Sequence, residues 1–433
     1  MATYQPLHKH KHSHKPSSAH GHGNVSPGPR TVFAWLLFAV LCLALLHILC
    51  CSPHERAMVS PLLRYITSTY TQAVSAYNCD YSDGQWVWAP GHARRYNGTA
   101  CNVKASENCV RNGRPDTGYL DWRWQPSAAG CQLPAFDAAK FLDVVRNKHV
   151  AFVGDSMARN QAESLVCLLS TSFPYRMVYQ DPELWVRKFW RWEFPTHNVT
   201  VSVYWAPFLA RATGKSENYS MSYNSVYLDA LAERWSADAD AMDIAVVSTG
   251  HWFWNPTVYY NGSEVLGTHL LPDFNYTEIG FFSPYREAIR MMIQRLVSSG
   301  TRDGRPRTVV VSTFSPAHFE KAWDDPATCA RRLPYREGER EVDVIHAELR
   351  SIVAEETTTA RTADSGGLTR VEMLDVTKLA TMRPDGHPGV YMKRDPFARG
   401  VPERLVSDCL HFCLPGPVDT FNEILLHLLT KRR

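Results

Sequence analysis

Eight cysteines follow residue 78, and they constrain the chain more than any other feature: Cys79, Cys101, Cys109, Cys131, Cys167, Cys329, Cys409 and Cys413. Four fall within the short stretch 79–131, which is rich in Gly, Pro, Asn and Trp. An even set of this kind reads as oxidised pairs, and such a segment is too small to bury a large core of its own. Zinc is the alternative, but no Cys-x-x-Cys pair occurs and only Cys409 and Cys413 approach ligand spacing, so no metal is expected. Spacing alone selects no pairing. The need to support the segment around residue 411 suggests that the Cys409/Cys413 loop is tied to the small Cys-rich segment and to Cys329.

Disulfides require an oxidising compartment, and the N-terminus supplies a route to one. Residues 31–51, TVFAWLLFAVLCLALLHILCC, carry His47 as their one strongly polar interruption. At ~1.5 Å per helical residue the run reaches roughly 30 Å, the thickness of a bilayer core. A cleaved signal peptide would have a shorter apolar region ending in a small-x-small site, whereas this run ends in Leu49-Cys50-Cys51. Lys9, Lys11, Lys15 and Arg30 precede it without any acid, so an uncleaved type II anchor with a cytosolic N-terminus is predicted. Asn97, Asn198, Asn218, Asn261 and Asn275 each open an Asn-x-Ser/Thr acceptor for glycan, all on the lumenal side. His8, His10, His12, His14, His20 and His22 read as part of a solvated tail.

The predicted organisation is a tail over 1–30, an anchor over 31–51, a stem over 52–78, a small Cys/Trp-rich subdomain over 79–133 and a catalytic domain over 134–433. With 433 residues, 45% of them hydrophobic, and a net charge of +3, the chain is neither disordered nor basic enough to favour nucleic acid. No internal repeat is apparent. From residue 134 onward, KHVAFV (148–153), TVSVYW (200–205), DIAVVS (243–248), TVVVST (308–313) and VEMLDV (371–376) read as strands. Their near-continuous apolar character suits a parallel sheet covered on both faces, a three-layer α/β/α domain.

Ligands in such sheets bind beyond the carboxyl ends of strands. The first predicted strand runs into Gly154-Asp155-Ser156 and then a helical stretch, placing Ser156 at a helix N-terminus where backbone N–H groups can hold an oxyanion. A serine nucleophile needs a base, and the base needs a carboxylate. Asp408-Cys409-Leu410-His411 supplies both at a spacing that one short helical turn would bring to one face. Candidate oxyanion and support groups are Gly154, Asp155, Arg159, Asn160 and Gly250. Aromatic platforms for sugar rings are sought in Trp122 and Trp124, Trp190 and Trp192, and Trp252 and Trp254, the last pair with His251 beside it. Asp238-Ala239-Asp240 matches the Asp-x-Asp of metal-dependent glycosyltransferases but precedes a strand, so it reads as a solvated loop.

The segments Gly154-Asp155-Ser156-Met157-Ala158-Arg159-Asn160-Gln161 and Asp408-Cys409-Leu410-His411-Phe412-Cys413-Leu414-Pro415-Gly416 resemble the paired signatures of the plant trichome birefringence-like polysaccharide O-acetyltransferases. Gly113-Arg114-Pro115-Asp116 through Trp122-Arg123-Trp124 belongs to the same resemblance, as do Thr249-Gly250-His251-Trp252, Ser315-Pro316-Ala317-His318-Phe319-Glu320 and Met382-Arg383-Pro384-Asp385-Gly386-His387-Pro388. The resemblance implies an SGNH-hydrolase-like α/β/α domain, a single N-terminal anchor, residence in the Golgi membrane and a hemicellulose acceptor, xyloglucan first and xylan next. It also implies an acetyl donor, acetyl-CoA or another acetyl carrier, with no bound cofactor. A carbohydrate acetylesterase with the same Ser156–His411–Asp408 triad and a non-catalytic lumenal glycan-binding protein are the other function classes. Where many SGNH hydrolases carry an Asn after a middle strand, this chain has Gly250-His251.

Overall fold

The structure, a computed structural model, describes residues 38–43 and 79–431, apart from 92–93, 99–100, 102, 182–188, 299, 323, 326–327, 364–366 and 401–405. The chain divides into two units, Met1–Ala73 and Val74–Arg433. In the first, residues 38–43 are helical. The predicted tail and stem, and the rest of the predicted anchor, lie outside the described residues. Among the described residues no helix is long and apolar enough to cross a membrane.

All five predicted strands form, as β3 (His149–Gly154), β6 (Val199–Trp205), β9 (Ile244–Ser248), β12 (Arg307–Ser312) and β13 (Thr369–Leu374). They pair in parallel in the order β6-β3-β9-β12-β13, the 2-1-3-4-5 order of an open α/β sheet. Their apolar residues alternate between two covered faces. Val150 and Phe152 of β3 meet the helices α1 (Ala138–Val144), α2 (Ser156–Ser170) and α7 (Asp419–Thr430). Ala151 and Val153 meet α4 (Phe282–Ser298) and α5 (Val344–Ala363). Two short helices, α3 (Glu233–Ser236) and α6 (Thr377–Thr381), complete the set.

Two features depart from the predicted parallel sheet. Beyond β6 it continues through two antiparallel strands, β5 (Phe189–Phe194) and β4 (Arg176–Gln180). A separate four-stranded sheet is formed by β7 (Ala210–Gly214), β8 (Asn224–Leu231), β10 (Thr257–Asn261) and β11 (Glu264–His269).

The Cys-rich segment contributes a two-stranded ribbon, β1 (Gly84–Trp88) with β2 (Trp122–Pro126). Its Tyr81, Trp86, Tyr96 and Trp124 belong to the same core as α2 and α7, so it completes the main domain rather than standing apart. Of the four disulfides among the described residues, only Cys79–Cys131 stays within this segment. Cys101–Cys167 joins it to α2 and Cys109–Cys413 to the segment after β13, while Cys329–Cys409 holds that segment from a second side.

Candidate active site

Chain order reverses direction across the sheet between β3 and β9, opening a crevice at their carboxyl ends. Gly154 ends β3 with φ +147°, and a Cβ there would lie 1.8 Å from the Ser248 carbonyl oxygen, so only glycine lets the two strands meet at this turn. Asp155 then caps α2: its Oδ1 accepts the Met157 N–H at 2.9 Å. Its Oδ2 accepts the N–H groups of Gly250 and His251 at 3.0 and 3.2 Å, tying the end of β3 to the turn after β9. Burial pushes the Asp155 carboxyl up to about 6, against these N–H donors. Ser156 is thereby fixed at the first position of α2, whose opening N–H groups have no intrahelical acceptor.

Asp408 and His411 lie on an irregular segment rather than the predicted helical turn, because the Asp408 side chain itself closes the bend. Its Oδ1 accepts the N–H groups of Leu410 and His411 at 3.0 and 2.9 Å, and its Oδ2 accepts His411 Nδ1–H at 2.8 Å. Burial works against the Asp408 charge, yet the His411 ring and the two amides outweigh it and hold the carboxyl well below the ordinary carboxylate range. His411 Nε2 is buried and has no hydrogen-bond partner. With Nδ1 held by Asp408, Nε2 is the ring nitrogen left to exchange a proton.

Ser156 and His411 line one cleft of about 860 Å³, together with Lys104, Arg159, Trp190, Trp205, Lys215, Tyr219, His251 and Trp252. Arg159 Nε is buried and unpartnered, while its Nη2 pairs with Glu107. Two of the predicted oxyanion donors are otherwise engaged. The Gly250 N–H belongs to Asp155. Asn160 is fully buried and spends its amide on Glu107 Oε2 at 2.8 Å and the Phe412 carbonyl at 2.9 Å, so it braces the His411 segment instead of facing the cleft.

Glu107, unread in the sequence, is the hub of this arrangement. From the Cys-rich segment it binds Arg159 and Asn160, and its carbonyl accepts the Leu414 N–H at 2.8 Å. Burial opposes its charge, but Arg159, with His411 and Lys104, holds the carboxyl below its ordinary value. Neighbouring Glu163 goes the other way: burial, with the Glu107 charge beside it, pushes it up to about 8. A lone Glu in a loop carries no local signal; only its burial in the fold reveals it.

Of the aromatic candidates, Trp190 and Trp252 reach the cleft. Trp252 lies on a single 3-10 turn, His251–Trp254, and packs edge-on against Trp205 with Tyr219 beside it. Trp254 points elsewhere, against Phe281, Phe314 and His346. Trp192 and Trp124 are core residues, and Trp122 packs edge-on against Trp88. His251 lines the cleft with Nε2–H donated to the Ser315 carbonyl at 2.9 Å; burial pushes it down to about 3, so it is neutral. The five candidate glycan-bearing asparagines are all exposed. Among the described residues no cluster of three His, Cys, Asp or Glu side chains could hold a metal ion.

A serine at a helix N-terminus sharing a cleft with an Asp-held imidazole is an arrangement of acyl-transfer enzymes. Residues 133–428 match the GDSL/SGNH-like acyl-esterase family found in Pmr5 and Cas1p, and residues 77–132 match the PMR5 N-terminal domain; the chain belongs to this PC-esterase family. It is 44% identical over 409 residues to Xyloglucan O-acetyltransferase 1 of Populus trichocarpa, covering 93% of this chain and 94% of the relative. To Xyloglucan O-acetyltransferase 1 of Arabidopsis thaliana it is 48% identical over 355 residues, 82% of this chain and 80% of the other. Protein trichome birefringence-like 25 of Arabidopsis thaliana is 36% identical over 375 residues, 85% of this chain and 80% of the relative.

Proposed function

We propose that the chain is a polysaccharide O-acetyltransferase that acetylates xyloglucan through an acetyl-serine on Ser156. The observation that carries this reading is the cleft shared by Ser156 and His411, with Asp408 holding Nδ1 of that histidine. The names of the relatives give the acceptor.

His411 Nε2 takes the Ser156 proton as Oγ attacks the carbonyl carbon of the acetyl donor. The Ser156 N–H and Arg159 Nε–H steady the tetrahedral oxyanion. The C–O or C–S bond to the carrier breaks, and His411 returns its proton to the departing group. A sugar hydroxyl then gives its proton to His411 and attacks the acetyl carbonyl; collapse releases the O-acetyl ester and the proton returns to Ser156 Oγ. Trp205, Tyr219 and Trp252 offer π-faces to the C–H groups of the acceptor rings. The donor is acetyl-CoA or another acetyl carrier.

The reading places the enzyme in the Golgi membrane as a single-pass type II protein with glycans on its lumenal side. Four disulfides, five exposed acceptor asparagines and the apolar run 31–51 behind a basic tail support that placement.

The test incubates the full chain with acetyl donor, then with xyloglucan or xylan oligosaccharides. Acetyl trapped on Ser156, and transferred to xyloglucan in preference to xylan, is the expected result. Loss of acetyl from acetylated oligosaccharide without any gain would make the enzyme an esterase. Transfer by Ser156→Ala at the normal rate would end the proposal.

A further inference from the structure

Behind the His411 segment lies a second pair of histidines that the acetyl-transfer scheme does not use. His318 and His387 are both buried, and their rings meet through His318 Nδ1 and His387 Nε2 at 2.7 Å. The outer nitrogens each face a carbonyl oxygen. His318 Nε2 lies 2.8 Å from the Thr381 oxygen, and His387 Nδ1 lies 2.8 Å from the oxygen of His411 itself.

A carbonyl oxygen only accepts, so both outer nitrogens must carry hydrogen. The contact between the rings needs one hydrogen more. Three protons are thus required on four nitrogens, whereas two neutral imidazoles carry two. We propose that His318 and His387 share one extra proton, and that this charged pair positions the main chain of His411 by donating to its carbonyl. The inference rests on His411 being the base.

The surroundings make this proton removable. Burial opposes it on both rings and pushes each below the ordinary histidine range, so the contact between the rings, which two neutral imidazoles facing carbonyls cannot make, holds the proton against that cost. Arg340 and His346 disfavour charge on His318. Near His387, the Asp408 carboxylate favours the charge and the His411 ring opposes it. Arg114 donates to the His387 carbonyl at 2.8 Å, and Asp385 is occupied by Arg383. Phe412 stacks on the His387 ring, with centroids 4.8 Å apart, and closes it from water. When the proton leaves as pH rises, one of the three contacts loses its hydrogen and the grip on His411 loosens. Turnover therefore falls on the alkaline side.

The test has a direct arm and a kinetic arm, both on the full chain. With histidines labelled with nitrogen-15, ring-nitrogen shifts on the acid side of the alkaline limb should report three protonated nitrogens for the pair; two would overturn the proposal whether or not any variant folds. His387→Phe should lower kcat about tenfold with KM for the acceptor little changed, the effect of one lost hydrogen bond at the base. In His318→Asn an amide N–H can donate to His387 Nε2, leaving a neutral His387 able to donate to His411. This variant should keep more activity than His387→Phe and lose the alkaline limb; a limb unchanged from the parent would overturn the proposal. If the acetyl-serine reading itself were wrong, Ser156→Ala would stay active while the nitrogen count stood, so the two ideas fail separately.

Discussion

The two halves of the proposed catalytic pair are held in opposite ways. Ser156 sits between β3 and α2, in continuous regular structure, and its neighbours are fixed by strand pairing, a helix cap and a glycine. His411 sits on an irregular segment fastened from outside: by Cys109 and Cys329 through disulfides, by Asn160 to the Phe412 carbonyl, and by the Gly389–Asp408 backbone bridge. Their carboxyls differ in the same sense. Asp155 is buried among neutral donors and pushed up, whereas Asp408 has an imidazole beside it and is held down. A nucleophile can be placed by local backbone geometry; a base brought from far along the chain needs cross-links.

The sharpest contrast is in turnover. Asp408→Asn removes the acceptor that fixes the His411 tautomer and should lower kcat on the order of 10⁴-fold. Acetylation of Ser156 in a single-turnover assay reads this directly, and a loss below tenfold would break the idea that the base half depends on this carboxylate.

A smaller effect should follow from cutting the fastenings. Cys109→Ser with Cys413→Ser should cost about 2–4 kcal/mol in stability and lower kcat by roughly tenfold. Cys79→Ser with Cys131→Ser should cost stability with little effect on turnover. Chemical denaturation and initial rates on both variants separate the two, and equal kinetic losses would erase the distinction drawn between the halves.

The last effect, confined to a narrow pH window and not read in turnover, is a difference in acid sensitivity. Asp155 has its folded pKa raised to about 6, so its contribution to stability is fully present below the unfolded value near 4 and lost as pH rises to about 6. That amounts to about 3 kcal/mol over the window. Asp408 has the opposite sign: its contribution is present above the unfolded value and lost as pH falls through its lower folded value. Denaturation midpoints against pH for Asp155→Asn and Asp408→Asn should therefore change slope in opposite directions; the same sign in both would refute the contrast.

The regular half was the more legible in sequence. β3 and β9 announce themselves as short apolar runs because both faces of the sheet are covered, and the Gly154-Asp155-Ser156 turn has local turn chemistry. The second sheet was not foreseen: β8 and β11 are half exposed, and β8 joins β10 only after the chain has passed through β9. Gly250 and Asn160 have the residue types and places of oxyanion donors, but whether an N–H is free depends on partners distant in sequence, Asp155 for one and Glu107 for the other. Trp252 illustrates the reverse: it follows the carboxyl end of β9, and that position rather than its residue type brings it to the cleft.

The bridge from Cys109 spans 304 positions to Cys413. During synthesis, the Cys109 thiol therefore waits for a mate that emerges only after β13 has been made. A chain that stops between β13 and Cys413 keeps the Cys109 thiol without its mate, a mark by which it can be told from one that has reached Cys413. Closure of this one bond thus records that synthesis has passed Cys413.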